Sequence, residues 1–474
     1  MCRAYDVNRS AHRHLTDGEM VLLSAALVLG VWQGLLAGVL VAVAGWLCRR
    51  PSLVVGTCLL LAVVGTWAGG RAWQQVEPRA IGDYVGWVQL VGDPAPFGAG
   101  LRVTVEVEGE RFDLWAYGGA RRKLAEAQDG SYLWVTGERR ALTGQQRHRA
   151  AVRHVVGRFE VEATGDVVDG SPMSRASNRV RSSLRGAAET TMAPDDASLF
   201  TGLVIGDDAR QPAWLLDAFR TCGLAHLTAV SGQNIAYVLA AALPLLRRLR
   251  AWWRWAATVA LVAWFMAITR FEPSILRAGV MAMLAATAYV RGHQVRPVRV
   301  LALAVLLLVL IDPLLVWSVG FWLSVGATAG VCVVGPWLLP RLPGPVWVRL
   351  PMAVTLGAQL GVALPSVLVF GRLPVVSLPA NLAAGPVAGF VMLYGLPAGL
   401  MAGLLPAPLR HLVMLPAELG TRWVALVARV AAAVEPSPGW SLLAWLMGVA
   451  AAWMWWRLQG RVHRSREGPP RVPI

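Results

Sequence analysis

The stretch Ala218-Phe-Arg-Thr-Cys-Gly-Leu-Ala-His-Leu-Thr-Ala-Val-Ser-Gly-Gln-Asn-Ile235 places polar and cationic side chains directly before an apolar segment that continues to Leu246. Such side chains are costly in hydrocarbon, and at membrane segments they usually face other protein or a water-filled path. The Ser-Gly pair favours a break in the helix, which a membrane tolerates only inside a protein bundle or cavity. The stretch therefore indicates a functional centre within a membrane. Its candidate lining or gating residues are Arg220, His226, Ser231, Gln233 and Asn234.

Composition places the chain among membrane proteins. Of its 474 residues, 56% are hydrophobic and 15% are charged, whereas soluble domains carry about 25% charged residues. Repeated apolar runs long enough to cross a bilayer predict a polytopic α-helical membrane protein with about 10–12 spans. The net charge of +16 suits arginine-rich cytoplasmic loops, and it permits a polyanionic partner without demonstrating one. The basic, proline-rich segment 458–474 predicts a disordered tail and a cytoplasmic C-terminus.

The first apolar run, Met20–Leu47, has two interpretations. Its 28 residues form either one tilted span of about 42 Å or two half-spans that meet near Gln33-Gly34. If the chain turns back there, the basic N-terminus and Arg49-Arg50 lie on the same side of the membrane. The positive-inside rule makes that side cytoplasmic and places the following domain outside. We expect this second arrangement, and we expect the run to be retained rather than cleaved as a signal peptide.

Residues 80–170 change from apolar runs to short alternating segments. Five strands are predicted at 84–90, 101–107, 112–117, 132–135 and 159–162, with a hairpin turn at Glu108-Gly-Glu110. They predict a small OB-like β-barrel, a fold that often binds single-stranded nucleic acid. Between Arg79 and Asp169 the chain has 12 Lys plus Arg and 13 Asp plus Glu, so a basic groove would be local. The DNA-binding candidates are Arg121, Arg122, Lys123, Trp115 and Trp134; the alternative for the aromatic residues is a place in the barrel core.

Three further groups of polar residues have open interpretations. Arg277 lies inside an apolar segment, so it needs a partner, water or a phosphate. The alternatives are an arrangement with Glu272 or with carbonyl groups, and contact with passing backbone phosphates, whose oxygens fit the planar guanidinium. Asp207-Asp208 is typical of a solvated loop, and the alternative is an ion site. Asp312-Pro313 is typical of a turn that ends a helix.

The residues indicate neither an enzyme nor a cofactor site. His226 and Ser231 lie five residues apart, about 500° around a helix, and no nearby aspartate orients the histidine. The five cysteines form no Cys/His cluster, so we expect no metal, no disulfide framework and no cofactor. Because the sequence has no Walker A motif, any motor of that type must be a separate protein.

Four blocks of sequence, in this order, carry a family resemblance. They are Leu199-Phe-Thr-Gly-Leu-Val-Ile-Gly-Asp-Asp208 with Ala218-Phe-Arg220; Gly223-Leu-Ala-His-Leu-Thr-Ala-Val-Ser-Gly232; Pro273-Ser-Ile-Leu-Arg-Ala278 with Ile311-Asp-Pro313 and Gly320-Phe-Trp-Leu-Ser324; and Val376-Ser-Leu-Pro-Ala-Asn-Leu382. With these blocks, the chain resembles the ComEC family of bacterial competence proteins. The resemblance implies an inner-membrane channel that imports single-stranded DNA into the cytoplasm during natural transformation. Arg277 and Asn381 join the candidates for lining or gating its path.

The chain departs from the family pattern in two places. Many members have Ser-Gly-Leu-His where this chain has Ser231-Gly-Gln-Asn234, so a proton-exchange role at that position is not expected here. Many members also continue into a metallo-β-lactamase-like domain, and this sequence reaches Ile474 without the His-x-His-x-Asp-His signature. The resemblance therefore implies the pore without that nuclease. Its partners would be single-stranded DNA, the lipid bilayer, a separate DNA receptor, a cytoplasmic helicase or motor and a separate nuclease.

These observations predict a domain order and leave a second function open. The alternative is a transporter or lipid-handling membrane protein that has the same fold without DNA uptake, because a fold does not fix a function. The predicted segments are membrane helices over 1–79, the OB-like domain over 80–170, an amphipathic basic helix over 171–195, the channel domain over 196–457 and the tail over 458–474.

Overall fold

The computed structural model describes residues 15–228, 232–271, 273–293, 296–437, 439–441, 443–445, 447–448, 450 and 454. The chain divides into two compact units, Met1–Glu77 with Leu284–Ser318 and Pro78–Met283 with Val319–Ile474. The helices are α1 (Asp17–Gln33), α2 (Leu35–Leu47), α3 (Ser52–Gln74), α4 (Ala120–Glu126), α5 (Gly144–Ala151), α6 (Pro172–Thr191), α7 (Pro194–Ile205), α8 (Ala213–Thr221), α9 (Ala225–Thr228), α10 (Gly232–Leu246), α11 (Ala251–Ile268), α12 (Pro273–Val290), α13 (Pro297–Ile311), α14 (Val319–Ala329), α15 (Gly335–Leu338), α16 (Val346–Phe370), α17 (Ser377–Ala402) and α18 (Ala407–Val434). The strands are β1 (Gly82–Phe97), β2 (Gly100–Val107), β3 (Glu110–Ala116), β4 (Tyr132–Ala141) and β5 (Val155–Val168).

In the first unit, the first apolar run folds as two helices. A reciprocal capping box starts α1, because the Glu19 carboxylate accepts from the Thr16 N–H and the Thr16 hydroxyl accepts from the Glu19 N–H. Gly34, with a φ of 82°, ends α1 and starts α2. The helices then pack closely, since a Cβ added to Gly38 would lie 3.1 Å from the Ala26 carbonyl oxygen. Of the two sequence interpretations, the structure has the one that breaks at Gln33-Gly34.

Asp312 behaves as the sequence predicts. It ends α13, and its carboxylate accepts from the Leu314 N–H at 3.0 Å, which starts a 3₁₀ turn over Pro313–Trp317. The carboxylate therefore caps a turn, and the prediction of a helix stop is confirmed.

In the second unit, the five strands close into a barrel in the order β1-β2-β3-β5-β4. The pairs are antiparallel except β3 with β5, which are parallel. Glu108 and Gly109 both have left-handed φ values, 52° and 80°, as the predicted hairpin turn requires. Alternate residues point inward, and the fully buried set includes Val88, Val105, Phe112, Leu114 and Phe159. With α4 between β3 and β4, the barrel has the predicted OB-like form.

The helices of the second unit share a large apolar core. Buried residues of α6, α7, α8, α17 and α18 form one cluster, which includes Leu184, Phe200 and Phe219. α14 and α16 approach through glycines, because a Cβ on Gly361 would overlap the Gly326 carbonyl. A π-helical turn over Gly330–Val334 follows α14, beside Gly357 of α16. Close glycine contacts of this kind are a common way for membrane helices to pack.

Several helices have the length and composition of membrane spans. Within the described residues, five segments are long and apolar enough, namely α3, α11, Val319–Arg341, α16 and α17. Shorter apolar helices are α2, α10, α12 and α13. The chain is therefore a polytopic α-helical membrane protein with a small OB-like β-barrel, as the sequence predicts. The expected number of 10–12 spans stays a prediction.

Candidate functional site

A tight turn after α8 brings two of the sequence blocks together. Gly223 has a φ of 76°, a backbone conformation that L side chains rarely adopt. It also lies against the start of α17, because an added Cβ would come 2.8 Å from the Ser377 Cβ. A glycine is needed here for both reasons. The turn therefore sets α9 and its histidine beside the N-terminal end of α17.

Polar side chains meet at this junction, and we call them the His226 cluster: His226, Gln359, Ser377 and Asn381. The His226 imidazole lies within reach of the Asn381 amide and of the Gly223 backbone. Asn381 donates to the Ser377 carbonyl at 2.7 Å, and Gln359 of α16 donates to the Ser377 hydroxyl. Ser377 in turn donates to the Pro374 carbonyl at 2.8 Å. The structure thus brings two predicted site residues, His226 and Asn381, into one cluster.

The start of α17 is completed by a carboxylate. Glu435 accepts from the Val375 and Val376 N–H groups at 3.2 and 3.0 Å, and from the Ser441 hydroxyl at 2.6 Å. A cavity of about 100 Å³ lies beside it and is lined by residues that include Thr221, Arg372 and Pro436. Sequence reasoning did not select Glu435, because it lies about 60 residues from the N–H groups that it satisfies.

The beginning of α10 contacts two other helices, α12 and α7. Gly232 lies against α12, since an added Cβ would be 2.9 Å from the Ala278 Cβ and 3.3 Å from Nη2 of Arg277. Asn234 is buried and donates to the Leu203 carbonyl of α7 at 3.3 Å. Gln233 is exposed and donates to the Tyr237 hydroxyl at 2.6 Å. Asn234 therefore holds helices together, whereas Gln233 keeps an accessible side chain.

Arg277 is buried in the helix bundle, with 4% of its surface exposed. Its Nε and Nη2 donate to the Ser324 hydroxyl of α14 at 2.9 and 2.7 Å, and Nη1 lies 3.1 Å from the Met281 sulfur. Among the described residues, no carboxylate lies within 4 Å of the guanidinium. Glu272, the ion-pair partner considered from the sequence, lies outside the described residues, as does the candidate Ser231.

Arg220 lies apart from these buried groups. It is exposed at the end of α8 and pairs with Asp217 at 3.7 Å, one helical turn away. Asp207, expected in a solvated loop, is instead buried and lies 2.5 Å from Nη2 of Arg185. The solvated-loop interpretation is therefore wrong for Asp207, because α6 brings arginines to it from 22 and 26 residues earlier in the chain.

The barrel surface carries the DNA-binding candidates in two places. Trp115 on β3 is flanked by the guanidiniums of Arg102 and Arg158, at 5.3 and 4.7 Å from its ring centre, and by the Phe97 ring at 4.4 Å. Trp134 on β4 meets Trp87 of β1 edge to face at 5.4 Å. In the register with β5, Trp115 pairs with Glu160, while Trp134 contacts Gly165. The two candidates are therefore about 16 Å apart along β5, at 3.3 Å per residue.

The helix α4 carries the three cationic candidates between these two places. Arg121 donates to the Ala99 carbonyl at 3.3 Å, in the turn next to Phe97. Lys123 lies 3.5 Å from Asp166, next to Gly165. Arg122 lies between them in the sequence and is exposed. Trp134 is 38% exposed, so the alternative of a place in the barrel core is wrong for it; its neighbour Trp87 is 43% exposed.

The sequence blocks correspond to contact pairs in the structure. The Gly223–Gly232 block meets the Val376–Leu382 block at the His226 cluster. The Pro273–Ala278 block meets the Gly320–Ser324 block through Arg277 and Ser324. Gln359 and Glu435 complete the site from outside the blocks. The sequence patterns do not mark Ser324 and Ser377 as site residues, although both lie within the blocks and could have been found there.

Comparisons with known proteins agree with this arrangement. A family model described as Competence protein matches residues 203–459. ComE operon protein 3 of Bacillus subtilis (strain 168) is 25% identical over 235 residues, which are 49% of this chain and 30% of that protein. Uncharacterized protein YcaI of Escherichia coli (strain K12) is 26% identical over 230 residues, 45% of this chain and 30% of that protein.

The matches with these two relatives therefore span less than a third of either one's length. No solved structure matches the chain. The family model covers more than half of the 474 residues and contains the His226 cluster, Arg277 and Glu435. The chain belongs to the competence protein family.

Proposed function

We propose that the chain is a channel through which single-stranded DNA crosses the bacterial inner membrane into the cytoplasm during natural transformation. The observation that carries this proposal is Arg277, a buried cation in an apolar helix. Among the described residues it has a hydroxyl and a thioether for neighbours and no carboxylate. A polyanion that passes this point would supply a negative charge that the described neighbours of Arg277 do not.

The energetics favour such a role for Arg277. An arginine at the centre of a membrane helix costs about 2.5–3.5 kcal/mol or more, so it is rarely kept without a compensating anion, water or carbonyl. Its guanidinium has five N–H donors, while Ser324 is a single neutral acceptor and the Met281 sulfur is a weak one. α10 begins at Gly232 beside Nη2, and helix N-termini attract phosphate groups. An arginine and a helix N-terminus together favour a phosphate oxygen at this position.

His226 has the position of a residue that lines a crevice. Protein surrounds it on most sides, yet its side chain keeps an accessible surface. Asn381 and Gln233 offer further neutral hydrogen-bonding groups near α9 and α10. Neutral polar groups together with few cations would let a polyanion pass without holding it tightly, which conduction requires. We therefore propose that these residues line the path.

The barrel surface supports binding of a single strand before it enters the membrane. Aromatic rings beside cations form a stacking platform for bases, whatever the sequence. The Trp115 platform with Arg102 and Arg158 has this composition, and α4 continues it with Arg121, Arg122 and Lys123. Electrostatic contacts with phosphates make such binding sensitive to salt. We propose that a strand runs from Trp115 along α4 toward Trp134.

The break at Gly34 supports the membrane arrangement that we propose. A first segment that turns back keeps the basic N-terminus and Arg49-Arg50 on one side, and the positive-inside rule makes that side cytoplasmic. The single span α3 then leads to a barrel outside the cytoplasmic membrane. The tail at 458–474 belongs on the cytoplasmic side by the same rule. Delivery of DNA and pulling of the strand would fall to a separate receptor and a separate motor.

The test is the replacement of Arg277 in a strain deleted for the native gene. Arg277→Gln, expressed at normal membrane levels, is expected to lower entry of labelled DNA into the cytoplasm at least tenfold, because the phosphate loses its counter-charge. DNA uptake into the envelope should stay normal, because it precedes this step. Arg277→Lys should restore part of the activity, because it keeps the charge without the planar fork.

The matched control is Arg210→Gln, which removes an exposed arginine that pairs with Glu189 on the protein surface. It is expected to leave both uptake and entry unchanged. Undiminished cytoplasmic entry in Arg277→Gln would remove the residue from the path. A deletion strain that transforms like its parent would refute the proposed function itself.

A further inference from the structure

Six charged side chains meet where the barrel contacts the helices of the same unit. Two come from the barrel and four from α6, the loop after α7 and the turn after α11. We call this group the ionic joint; its members are Asp93, Asp129, Arg181, Arg185, Asp207 and Arg270. With three aspartates and three arginines, its charges balance.

Arg270 links the barrel most directly. Its Nη2 lies 2.9 Å from Asp93 and its Nη1 lies 2.6 Å from Asp129. Arg181 continues the network from α6, with Nη2 at 3.1 Å from Asp93 and 3.6 Å from Asp207. Strand β1 and the loop before β4 are thus held by arginines from α6 and from the turn after α11.

The side chains of the joint are buried, and some of their N–H groups have no hydrogen-bond acceptor among the described residues. Arg181 is 5% exposed, and Nη1 also donates to the carbonyls of Ile205 and Ile268 at 3.3 and 3.1 Å. Within the described residues, the Nε atoms of Arg181, Arg185 and Arg270 are buried without an acceptor. Buried ion pairs stabilise less than apolar packing of the same volume, because both charges lose their hydration. When such an interface opens, however, both charges recover that hydration, so opening is cheaper than for an apolar interface.

A polar groove runs beside the joint. It has a volume of about 410 Å³ and lies between the barrel and α6. Its walls include Gln128 and Ser131 of the barrel, and Asn178, Arg179 and Ser182 of α6. Across it, Gln128 Nε2 lies 3.4 Å from the Ser182 hydroxyl, and the Asn178 side-chain amide donates to the Asp129 carbonyl at 2.9 Å. Water and anions therefore have access to the edge of the joint.

The joint also holds a turn that leads to the channel helix α12. Arg270 and Phe271 both have left-handed φ values, 60° and 53°, which are unfavourable for residues with side chains. The two aspartates that bind the Arg270 side chain keep it in this conformation. α12 begins at Pro273 and carries Arg277 about one turn later. A change at the joint thus acts on the segment that leads into the helix with the buried arginine.

We propose that the ionic joint is a releasable latch: the phosphates of a single-stranded nucleic acid compete for its arginines, the barrel separates from α6, and the Arg270 turn relaxes. This inference rests on the proposed function, since that function supplies the polyanion. A charged latch suits this purpose because the competitor replaces each aspartate with a phosphate. An interface of apolar contacts would offer a polyanion nothing to exchange.

A cross-linking experiment on the full-length protein in lipid nanodiscs tests the latch. Gln128→Cys and Ser182→Cys, in a background whose native cysteines are replaced by serine or alanine, report the docked state by disulfide formation under mild oxidant. Addition of a 30-nucleotide oligo-dT at saturating concentration is expected to slow disulfide formation at least fivefold. Binding of the same oligonucleotide is followed in parallel by fluorescence anisotropy.

Two variants sharpen the comparison. Asp93→Asn with Asp129→Asn is expected to slow disulfide formation without DNA, because Arg270 loses both partners. Asp195→Asn changes an exposed aspartate of α7 that belongs neither to the joint nor to the DNA-binding candidates, and it is expected to behave like the parent. In cells, oxidised cysteine-pair protein should block cytoplasmic entry of DNA, and reduction should restore it.

The outcomes separate the latch from the proposed function. If the oligonucleotide binds and disulfide formation is unchanged, the latch is refuted while DNA binding stands. If no oligonucleotide binds, the proposed function fails first. If the cysteine-pair variant folds poorly, hydrogen exchange of residues 126–131 and 175–182 in the unmodified protein reports the same separation of the barrel from α6. Faster exchange with DNA supports the latch, and equal exchange refutes it.

Discussion

Trp115→Ala is expected to weaken binding of single-stranded DNA by the full-length protein. The ring lies on the outer face of β3, beside the Arg102 and Arg158 guanidiniums and the Phe97 ring, and a stacked base would replace one of these neighbours. Stacking of one base on such a ring contributes about 1–3 kcal/mol, which corresponds to roughly a 5- to 150-fold change in Kd. Because the side chain is only half-buried and outside the barrel core, the fold should survive the change.

The assay is fluorescence anisotropy of a labelled oligo-dT with protein in nanodiscs, repeated between low and moderate salt. Trp115→Ala should raise Kd at every salt concentration and leave the salt slope nearly unchanged, since no charge is removed. The control is Trp252→Ala, a 61% exposed tryptophan of α11 that stacks on Trp255 far along the chain from the barrel. A Kd within twofold of the parent, with an intact near-ultraviolet spectrum, would show that Trp115 is not a base platform.

Three further results follow from the structure. Gly361→Ala should lower the melting temperature in detergent, because the added methyl group overpacks against the Gly326 carbonyl and lowers the free energy of unfolding by about 1–3 kcal/mol. An unchanged melting curve would contradict the close glycine contact. Glu435→Gln should cost about 1–3 kcal/mol, because charge-assisted bonds to the Val375 and Val376 N–H groups weaken; equal urea midpoints would contradict this. Burial raises the pKa of Asp93, but the Arg270 and Arg181 guanidiniums outweigh it and lower that pKa below the ordinary 3.8. The contribution of Asp93 to stability is therefore fully present above pH 3.8 and disappears as the pH falls below it. The difference in melting temperature between the parent and Asp93→Asn should accordingly persist at pH 5. If that difference is already lost at pH 5, the result contradicts the ion pairs.

The strands of the barrel could be predicted because each depends on residues that are close together in the sequence. Alternating side chains and the Glu108-Gly109 turn gave all five strands, since a strand and its turn depend on neighbouring residues. Which face of β1 and β4 points inward was not local information, because both faces carry large apolar residues. The outward position of Trp87 and Trp134 therefore became visible only in the closed barrel.

The site was predictable in its membership but not in its contacts. His226, Arg277 and Asn381 stand out as polar residues in apolar surroundings, which is a property of the sequence alone. Their partners Ser324 and Gln359 come from α14 and α16, and pairing across such distances in the chain depends on how the helices pack. The same reason explains Asp207, whose arginine partners lie on α6.

The closure of the barrel limits what it can recognise. Each strand from β1 to β5 has a hydrogen-bonded neighbour on both sides, so these strands leave no unpaired edge to which an extended peptide could add. Receptor subunits that work by lending a strand are thereby unsuited to this domain, and so are neighbouring copies that might otherwise stack into fibres. A partner of this barrel must therefore recognise exposed aromatic rings, guanidiniums and carboxylates. Point mutations of these surface groups can then change which partner binds.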